Sequence, residues 1–201
     1  MKVIRDIEQG TEEWLNLRLA VITASKYKDV LAGGKGLTRS AYMRQLAAEA
    51  ITGIRTESFS NSAMEWGTEH EPQAKAMYEL MKCEEVEEIA FIKHDYINTG
   101  VSPDGLIGDT GLIEIKCPNT TTQIETVLGG KMPTCHIPQV QGQLWVSERE
   151  WCEFVSFDPR INGKSSFFCI RVHRDDEYIN KLESAVIKFD SELQEMIDKL
   201  R

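Results

Sequence analysis

The sequence lacks the features that mark exported, membrane-spanning and disulfide-bonded proteins. It has no apolar run approaching the length of a transmembrane helix, and no basic segment followed by an apolar one at its start. Its five cysteines are odd in number, widely spaced and without a CxxC pair, which argues against a zinc ribbon or an iron–sulfur cluster. These absences predict a cytoplasmic protein with free thiols and no membrane partner.

Basic residues are also scarce, with 23 lysines and arginines against 32 acidic residues and a formal net charge of −9. This balance argues against a nucleic-acid partner, because phosphate contacts normally come from a basic surface. Metal-dependent nucleases are a partial exception, since a bound metal reverses the charge of the carboxylates that hold it. A DNA-binding protein of this composition needs a small basic lining within an acidic exterior.

The chain has 201 residues, a length that predicts one domain spanning 1–201. Its sequence contains patterns typical of both helices and strands. Apolar spacing predicts helices at about 12–19, 25–31, 38–52, 62–82, 138–150 and 175–201. Runs of β-prone residues predict strands at 86–92, 101–107, 111–117, 151–157 and 167–172. We interpret 119–132 as a polar loop. This order predicts an α/β fold with a mixed central sheet flanked by helices.

One stretch, GVSPDGLIGDTGLIEIKCP from Gly100 to Pro118, contains the residues best suited to catalysis. Turn residues between two β-prone runs predict a β-hairpin, which places Asp104 beside Glu114 or Ile115. Lys116 then shares a face with Glu114. Opposed carboxylates repel at cross-strand separations of about 4.5–5.5 Å. A bound Mg²⁺ or Mn²⁺ relieves that repulsion, and the lysine then holds an attacking water or neutralises a phosphate.

A solvated hairpin edge is the alternative interpretation, because acidic residues and lysines are common. The wider pattern, Pro103-Asp104 followed after nine residues by Glu114-Ile115-Lys116, resembles the PD-(D/E)xK nuclease motif. Over nearly the whole length the chain also resembles the lambda exonuclease and YqaJ-type viral recombinase family. The stretches that carry this resemblance are GTEEW from Gly10, LRLAVITAS from Leu17, WGTEHEP from Trp66, SPDGL from Ser102, EIKCP from Glu114, QVQ from Gln139 and FDPR from Phe157.

The resemblance implies a restriction-endonuclease-like core and a Mg²⁺-dependent 5′-to-3′ exonuclease. Such an enzyme degrades one strand of linear double-stranded DNA to mononucleotides and leaves a 3′ overhang for recombination. It implies two Mg²⁺ ions per active site, with Mn²⁺ as a substitute, and a homotrimeric ring around the DNA. It also implies a single-strand annealing protein as partner, and a phage or prophage origin in the cytoplasm of a bacterial host.

The same resemblance implies roles for individual residues around the metals. Asp104 and Glu114 are expected to bind metal together with the Ile115 carbonyl, and Glu71 to serve the second metal directly or through water. Lys116 is expected to position the attacking water, supported by Gln139. We otherwise interpret the glutamines at 139, 141 and 143 mainly as helix surface.

At the DNA end, the resemblance implies that Arg18, Ser25 and Ser102 hold the 5′-terminal phosphate and that Trp14 lies nearby. The residues alone leave Trp14 open between core packing and DNA contact. The loop at 32–40 departs from the family pattern, so no DNA-wedging role is assigned to it.

Two other functions compete with the exonuclease. Another PD-(D/E)xK enzyme, a restriction-type or structure-specific endonuclease, would cut covalently closed circular DNA. A non-catalytic DNA-end-binding protein would not cleave at all, and the intact set of Asp104, Glu114 and Lys116 argues against it.

Overall fold

The protein folds into two mixed β-sheets and a surrounding set of helices, which a computed structural model describes over residues 1–32, 37–56 and 62–201. The strands are β1 (Lys2–Ile4), β2 (Ile22–Thr23), β3 (Phe91–Lys93), β4 (Thr99–Val101), β5 (Gly105–Ile107), β6 (Gly111–Lys116), β7 (Trp151–Phe157) and β8 (Phe167–His173). The helices are α1 (Glu12–Leu17), α2 (Tyr27–Leu31), α3 (Leu37–Thr52), α4 (Ser62–Lys82), α5 (Thr120–Gly129), α6 (Ile137–Ser147) and α7 (Asp176–Leu200).

The strand pairing is mixed in both sheets. The first sheet has the order β1-β3-β4-β2, with β2 parallel to β4 and the other pairs antiparallel. The second has the order β5-β6-β7-β8, with only the central pair, β6 and β7, parallel. The predicted α/β class is confirmed, and the strands of the expected central sheet divide between these two sheets.

The division falls inside the strand predicted at 101–107. β4 ends at Val101 in the first sheet and β5 begins at Gly105 in the second, so the chain changes sheets through Pro103 and Asp104. Proline has no N–H to donate to a sheet, which suits it to such a crossing. The predicted hairpin itself is confirmed, since Gly105 pairs with Ile113 across β5 and β6.

Two other elements differ from the predictions. Only the end of the strand predicted at 86–92 is a strand, β3, and Glu87 forms an isolated bridge to Leu106. The stretch interpreted as a loop at 119–132 contains helix α5, so that prediction is wrong. Asn119 caps this helix by accepting a hydrogen bond from the Thr122 N–H (2.9 Å).

Helix α6 packs tightly on the interior at Gly142. A Cβ added there would lie 2.2 Å from Cε2 of the fully buried Tyr27. The Tyr27 hydroxyl is in turn hydrogen-bonded to the Thr99 hydroxyl at 2.6 Å. This close approach sets the position of α6, which supplies two side chains to the candidate site. No helix in the described ranges combines the length and apolar character needed to cross a membrane.

We predict that Gly142→Ala lowers the free energy of unfolding by about 1–3 kcal/mol, because the new methyl group overpacks the Tyr27 ring. The matched control is Gly67→Ala in α4, where an added Cβ meets no atom within 4 Å. That change should raise stability by up to about 1 kcal/mol, the ordinary gain of alanine over glycine in a helix. Urea unfolding measures both, and a Gly142→Ala protein as stable as the parent would contradict the packing argument.

Candidate active site

Asp104 is fixed where the chain passes between the two sheets. Its backbone N–H donates to the Ile113 carbonyl (3.1 Å), and its Oδ2 accepts from the Ile115 N–H (2.5 Å). The Gln9 side-chain amide donates to the carbonyl of the preceding Pro103 (2.9 Å). The carboxylate is therefore held against β6 with its second oxygen left for another partner.

Glu114 lies in the middle of β6 and is almost fully buried, with 1% of its surface exposed. Its Oε1 accepts from Gln139 Nε2 (2.5 Å) and its Oε2 from Gln143 Nε2 (2.6 Å). Lys116, two residues along the strand, forms an ion pair with the same carboxylate. A buried charge requires such partners, because removal from water is otherwise strongly unfavourable.

The amides that reach Glu114 come from one face of α6, since Gln139 and Gln143 are four residues apart. Gln141 points elsewhere and donates to the His173 carbonyl (2.9 Å). Gln141 and Gln143 are only 4% and 0% exposed, so the interpretation of this glutamine series as helix surface is wrong for both. The sequence analysis did not identify Gln143 as a site residue. Its spacing of four residues from Gln139 could have identified it, because that spacing places both side chains on one face of a helix.

Glu71 approaches the same site from α4. It is half-buried and, within the described residues, has neither an ion pair nor a hydrogen bond through its side chain. Burial and the negative charge of Glu114 raise its pKa above the ordinary value. The structure thus brings Glu71 into electrostatic range of Glu114.

The site carries more negative charge than its own lysine balances. Burial, followed by the charges of Glu114 and Glu71, raises the pKa of Asp104 well above its usual range. Burial alone would lower the pKa of Lys116, but the charges of Glu114 and Asp104 outweigh it and raise that pKa. Three carboxylates against one ammonium suit a hard divalent cation, since neither Asp104 Oδ1 nor the Glu71 carboxylate has a partner among the described residues.

The side chains do not by themselves form a cage. In the ranges described above, no three His, Cys, Asp or Glu side chains lie close enough to hold a metal ion. A cation bound here would complete its coordination with backbone oxygen and water, as Mg²⁺ commonly does. Ile115, whose carbonyl is a predicted ligand, already contacts Asp104 through its N–H.

A second group of predicted residues forms around Trp14. Its indole Nε1–H donates to the Ala90 carbonyl (2.9 Å) and to the Ser102 hydroxyl (3.1 Å). The Arg18 guanidinium carbon lies 3.9 Å from the centre of its ring. Trp14 is therefore half-buried support for Arg18, and Arg18 has no carboxylate partner among the described residues.

Ser25 is placed differently. It is exposed, its hydroxyl lies 3.4 Å from that of Thr23, and it lines a pocket of about 240 Å³ with Lys116 and Gln139. Its described contacts do not include Arg18 or Ser102. The predicted phosphate-binding residues thus fall into two groups, one around Trp14 and one facing Lys116.

The FDPR stretch, residues 157–160, contacts two of the helices near the site. Asp158 is fully buried and accepts hydrogen bonds from Arg160 Nε (2.7 Å) and the Thr120 hydroxyl (2.6 Å). The Arg160 guanidinium lies over the ring of Trp66, 4.1 Å from its centre. These contacts connect the end of β7 to α5 and to the start of α4, the helix that carries Glu71.

Comparison with known structures gives closely similar molecules. An alkaline exonuclease (LHK-Exo) from Laribacter hongkongensis is 45% identical, with a TM-score of 0.89 over 94% of this chain and 96% of that one. The same exonuclease in complex with dAMP is 46% identical, with the same coverage and TM-score. A phage-related exonuclease from Haemophilus somnus 129PT shares the fold at 14% identity, with a TM-score of 0.71 over 92% of this chain and 99% of that one.

Comparison of the sequence with protein-family models identifies a family to which the chain belongs. A search of curated protein sequences gave no match. The model of the YqaJ-like viral recombinase domain matches residues 13–150, which include Asp104, Glu114, Lys116, Glu71 and Gln139. The chain therefore belongs to the YqaJ-like viral recombinase family, within the PD-(D/E)xK type of fold.

Proposed function

We propose that the protein is a Mg²⁺-dependent exonuclease that degrades one strand of linear double-stranded DNA from its 5′ end to mononucleotides, leaving a 3′ overhang. The observation that carries this proposal is the meeting of Asp104, Glu114, Lys116 and Gln139 at one end of the β5–β6 hairpin. Family membership supports it, as does the likeness to an alkaline exonuclease whose structure was also obtained with dAMP.

The residues of the chain divide the chemistry among them. Asp104 and Glu114, with the Ile115 carbonyl and Glu71, would hold two Mg²⁺ ions, for which Mn²⁺ can substitute. When bound, the metal supplies an activated water and offsets charge on the phosphate. Lys116, which pairs with Glu114, would orient the attacking water by donating a hydrogen bond to it. Gln139 donates to Glu114 Oε1 and would hold that carboxylate in place.

The proposal extends to the biological setting. A homotrimeric ring would keep the enzyme on its DNA, and a single-strand annealing protein would receive the 3′ overhang in the cytoplasm of a bacterial host. Membership of a viral recombinase family supports these parts and a phage or prophage origin. Sedimentation velocity tests the ring directly, and a monomer at micromolar concentration would contradict it.

The deciding experiment is Mg²⁺-dependent digestion of one linear duplex, labelled at either the 5′ or the 3′ end, beside its covalently closed circular form. We expect the 5′ label to appear as mononucleotide while the circle stays intact. A linearised or nicked circle would instead identify an endonuclease. Binding without cleavage of either substrate would identify a DNA-end-binding protein.

We predict that Asp104→Asn abolishes cleavage, by at least about a hundredfold, and stabilises the metal-free protein at neutral pH. The folded-state pKa of Asp104 lies above its unfolded value. The unfolded chain therefore ionises first as the pH rises, and folding loses free energy until the pH exceeds the folded-state pKa. Asparagine removes this penalty yet still accepts the Ile115 N–H.

Thermal unfolding without divalent metal tests this at several pH values. At pH 7 the unfolding temperature of Asp104→Asn should exceed that of the parent by about 2–4 °C. This is the shift that about 1 kcal/mol of added stability produces in a protein of this length. The difference should shrink towards pH 4, and millimolar Mg²⁺ should reverse it by stabilising only the parent. A variant that is less stable than the parent at neutral pH in EDTA would refute the account of buried like charge.

We predict that Arg18→Ala reduces the preference for 5′-phosphorylated over 5′-hydroxyl ends by about tenfold, because a charge-assisted contact to the terminal phosphate is lost. The matched control is Arg5→Ala, since Arg5 is exposed and paired with Glu87 at 2.7 Å. The ratio of kcat/KM on the two ends gives the preference. Equal use of both ends by the parent enzyme would exclude a phosphate pocket at Arg18.

A further inference from the structure

Lys28 is a charged residue on the wall of the candidate site that neither the sequence motifs nor the proposed mechanism uses. It lies on α2, one turn after Ser25, and lines the same pocket as Lys116, His136 and Gln139. The volume of about 240 Å³ greatly exceeds the share of one water molecule in the liquid, about 30 Å³. The pocket therefore has room for a group of a bound molecule.

The charge of Lys28 is not balanced by a neighbour. The nearest acidic residue in sequence, Asp29, is paired with Lys26 at 3.3 Å. Within the described parts of the chain, Lys28 itself has no ion pair and no hydrogen bond through its side chain.

Two ammonium groups, those of Lys28 and Lys116, line the pocket, and among the described residues no carboxylate group does. Lys116 is itself paired with Glu114. His136 remains neutral at physiological pH, because burial and then the charge of Lys116 lower its pKa to about 4. The charge of Lys28 lowers the same pKa further.

The other polar groups in the lining suit the same ligand. Ser25 offers a hydroxyl group, and the His136 ring, packed on Phe154 with 5.4 Å between ring centres, offers a fixed N–H. Two ammonium groups and neutral donors around one cavity are the combination that binds a phosphate oxygen. The pocket opens beside Lys116, so a phosphate in it belongs to the strand that is cleaved.

We infer that Lys28 is a further substrate-binding residue, whose ammonium group contacts a phosphate of the cleaved strand in the pocket that it lines with Lys116. This inference rests on the proposed function and adds to it a contact outside the family motifs. The same chemistry fits two sources of phosphate, the DNA strand and the released mononucleotide. The experiment below separates them.

The test compares Lys28→Ala and Lys28→Arg with the control Lys26→Ala, which removes an equal charge two residues away outside the pocket. On a 5′-phosphorylated linear duplex, we expect Lys28→Ala to raise KM about tenfold with kcat within about twofold. The slope of log(kcat/KM) against log salt should become shallower by about 0.9, the effect of one phosphate contact. Lys28→Arg should restore most of the affinity, and Lys26→Ala should behave as the parent.

Calorimetric titration of dAMP into the parent and Lys28→Ala proteins identifies the source and needs no cleavage. Weaker dAMP binding by the variant shows that the product shares the contact, whereas unchanged binding together with the KM effect restricts it to DNA. Unchanged KM and salt slope in Lys28→Ala would overturn the inference, and so would a loss of kcat alone. If the parent protein does not cleave DNA, the proposed function fails. The dAMP titration then tests Lys28 alone: the inference is refuted if the parent and Lys28→Ala proteins bind dAMP equally, or if neither binds it.

Discussion

Electrostatic repulsion among three poorly solvated carboxylates is the constraint on which the rest of the site depends. Asp104 from the crossing between the sheets, Glu114 from β6 and Glu71 from α4 converge on one lysine, and burial raises the pKa of both Asp104 and Glu71. A fold that only had to be stable would place apolar residues here, because buried ion pairs seldom improve on apolar packing. The concentration of charge is therefore a cost in stability, which the proposed binding of a cation and a phosphate would explain.

Elements far apart in the chain hold these charges in position. The backbone of β6 fixes Asp104, and the amides of Gln139 and Gln143 on α6 hold both oxygens of Glu114. Helix α6 can supply them because Gly142 lets it approach Tyr27. Under the proposed function, an acidic composition is compatible with a phosphate substrate, since the carboxylates would hold the metal while Lys28, Lys116 and Arg18 would present the positive groups.

Sequence reasoning succeeded where the determinants are local. The hairpin follows from turn residues between β-prone runs, and its pairing places Asp104 against β6 as predicted. Helix α5 was missed because its threonines are weak helix formers and the contacts that stabilise it are distant, such as Gln123 donating to the Ser156 carbonyl at 3.1 Å. Gln143 was missed because its partner, Glu114, lies 29 residues away and becomes adjacent only in the folded protein.

The crossing between the two sheets has a consequence for the size of the product. Ser102, which contacts Trp14 beside Arg18, and Asp104 are separated only by Pro103, whose φ is fixed by its ring and whose carbonyl is held by Gln9. Two residues span at most about 7 Å, so the proposed seat of the terminal phosphate cannot move away from the proposed metal ligand. Under the proposed function, this short covalent connection would act as a ruler that measures one nucleotide at each cycle whatever the sequence of the DNA.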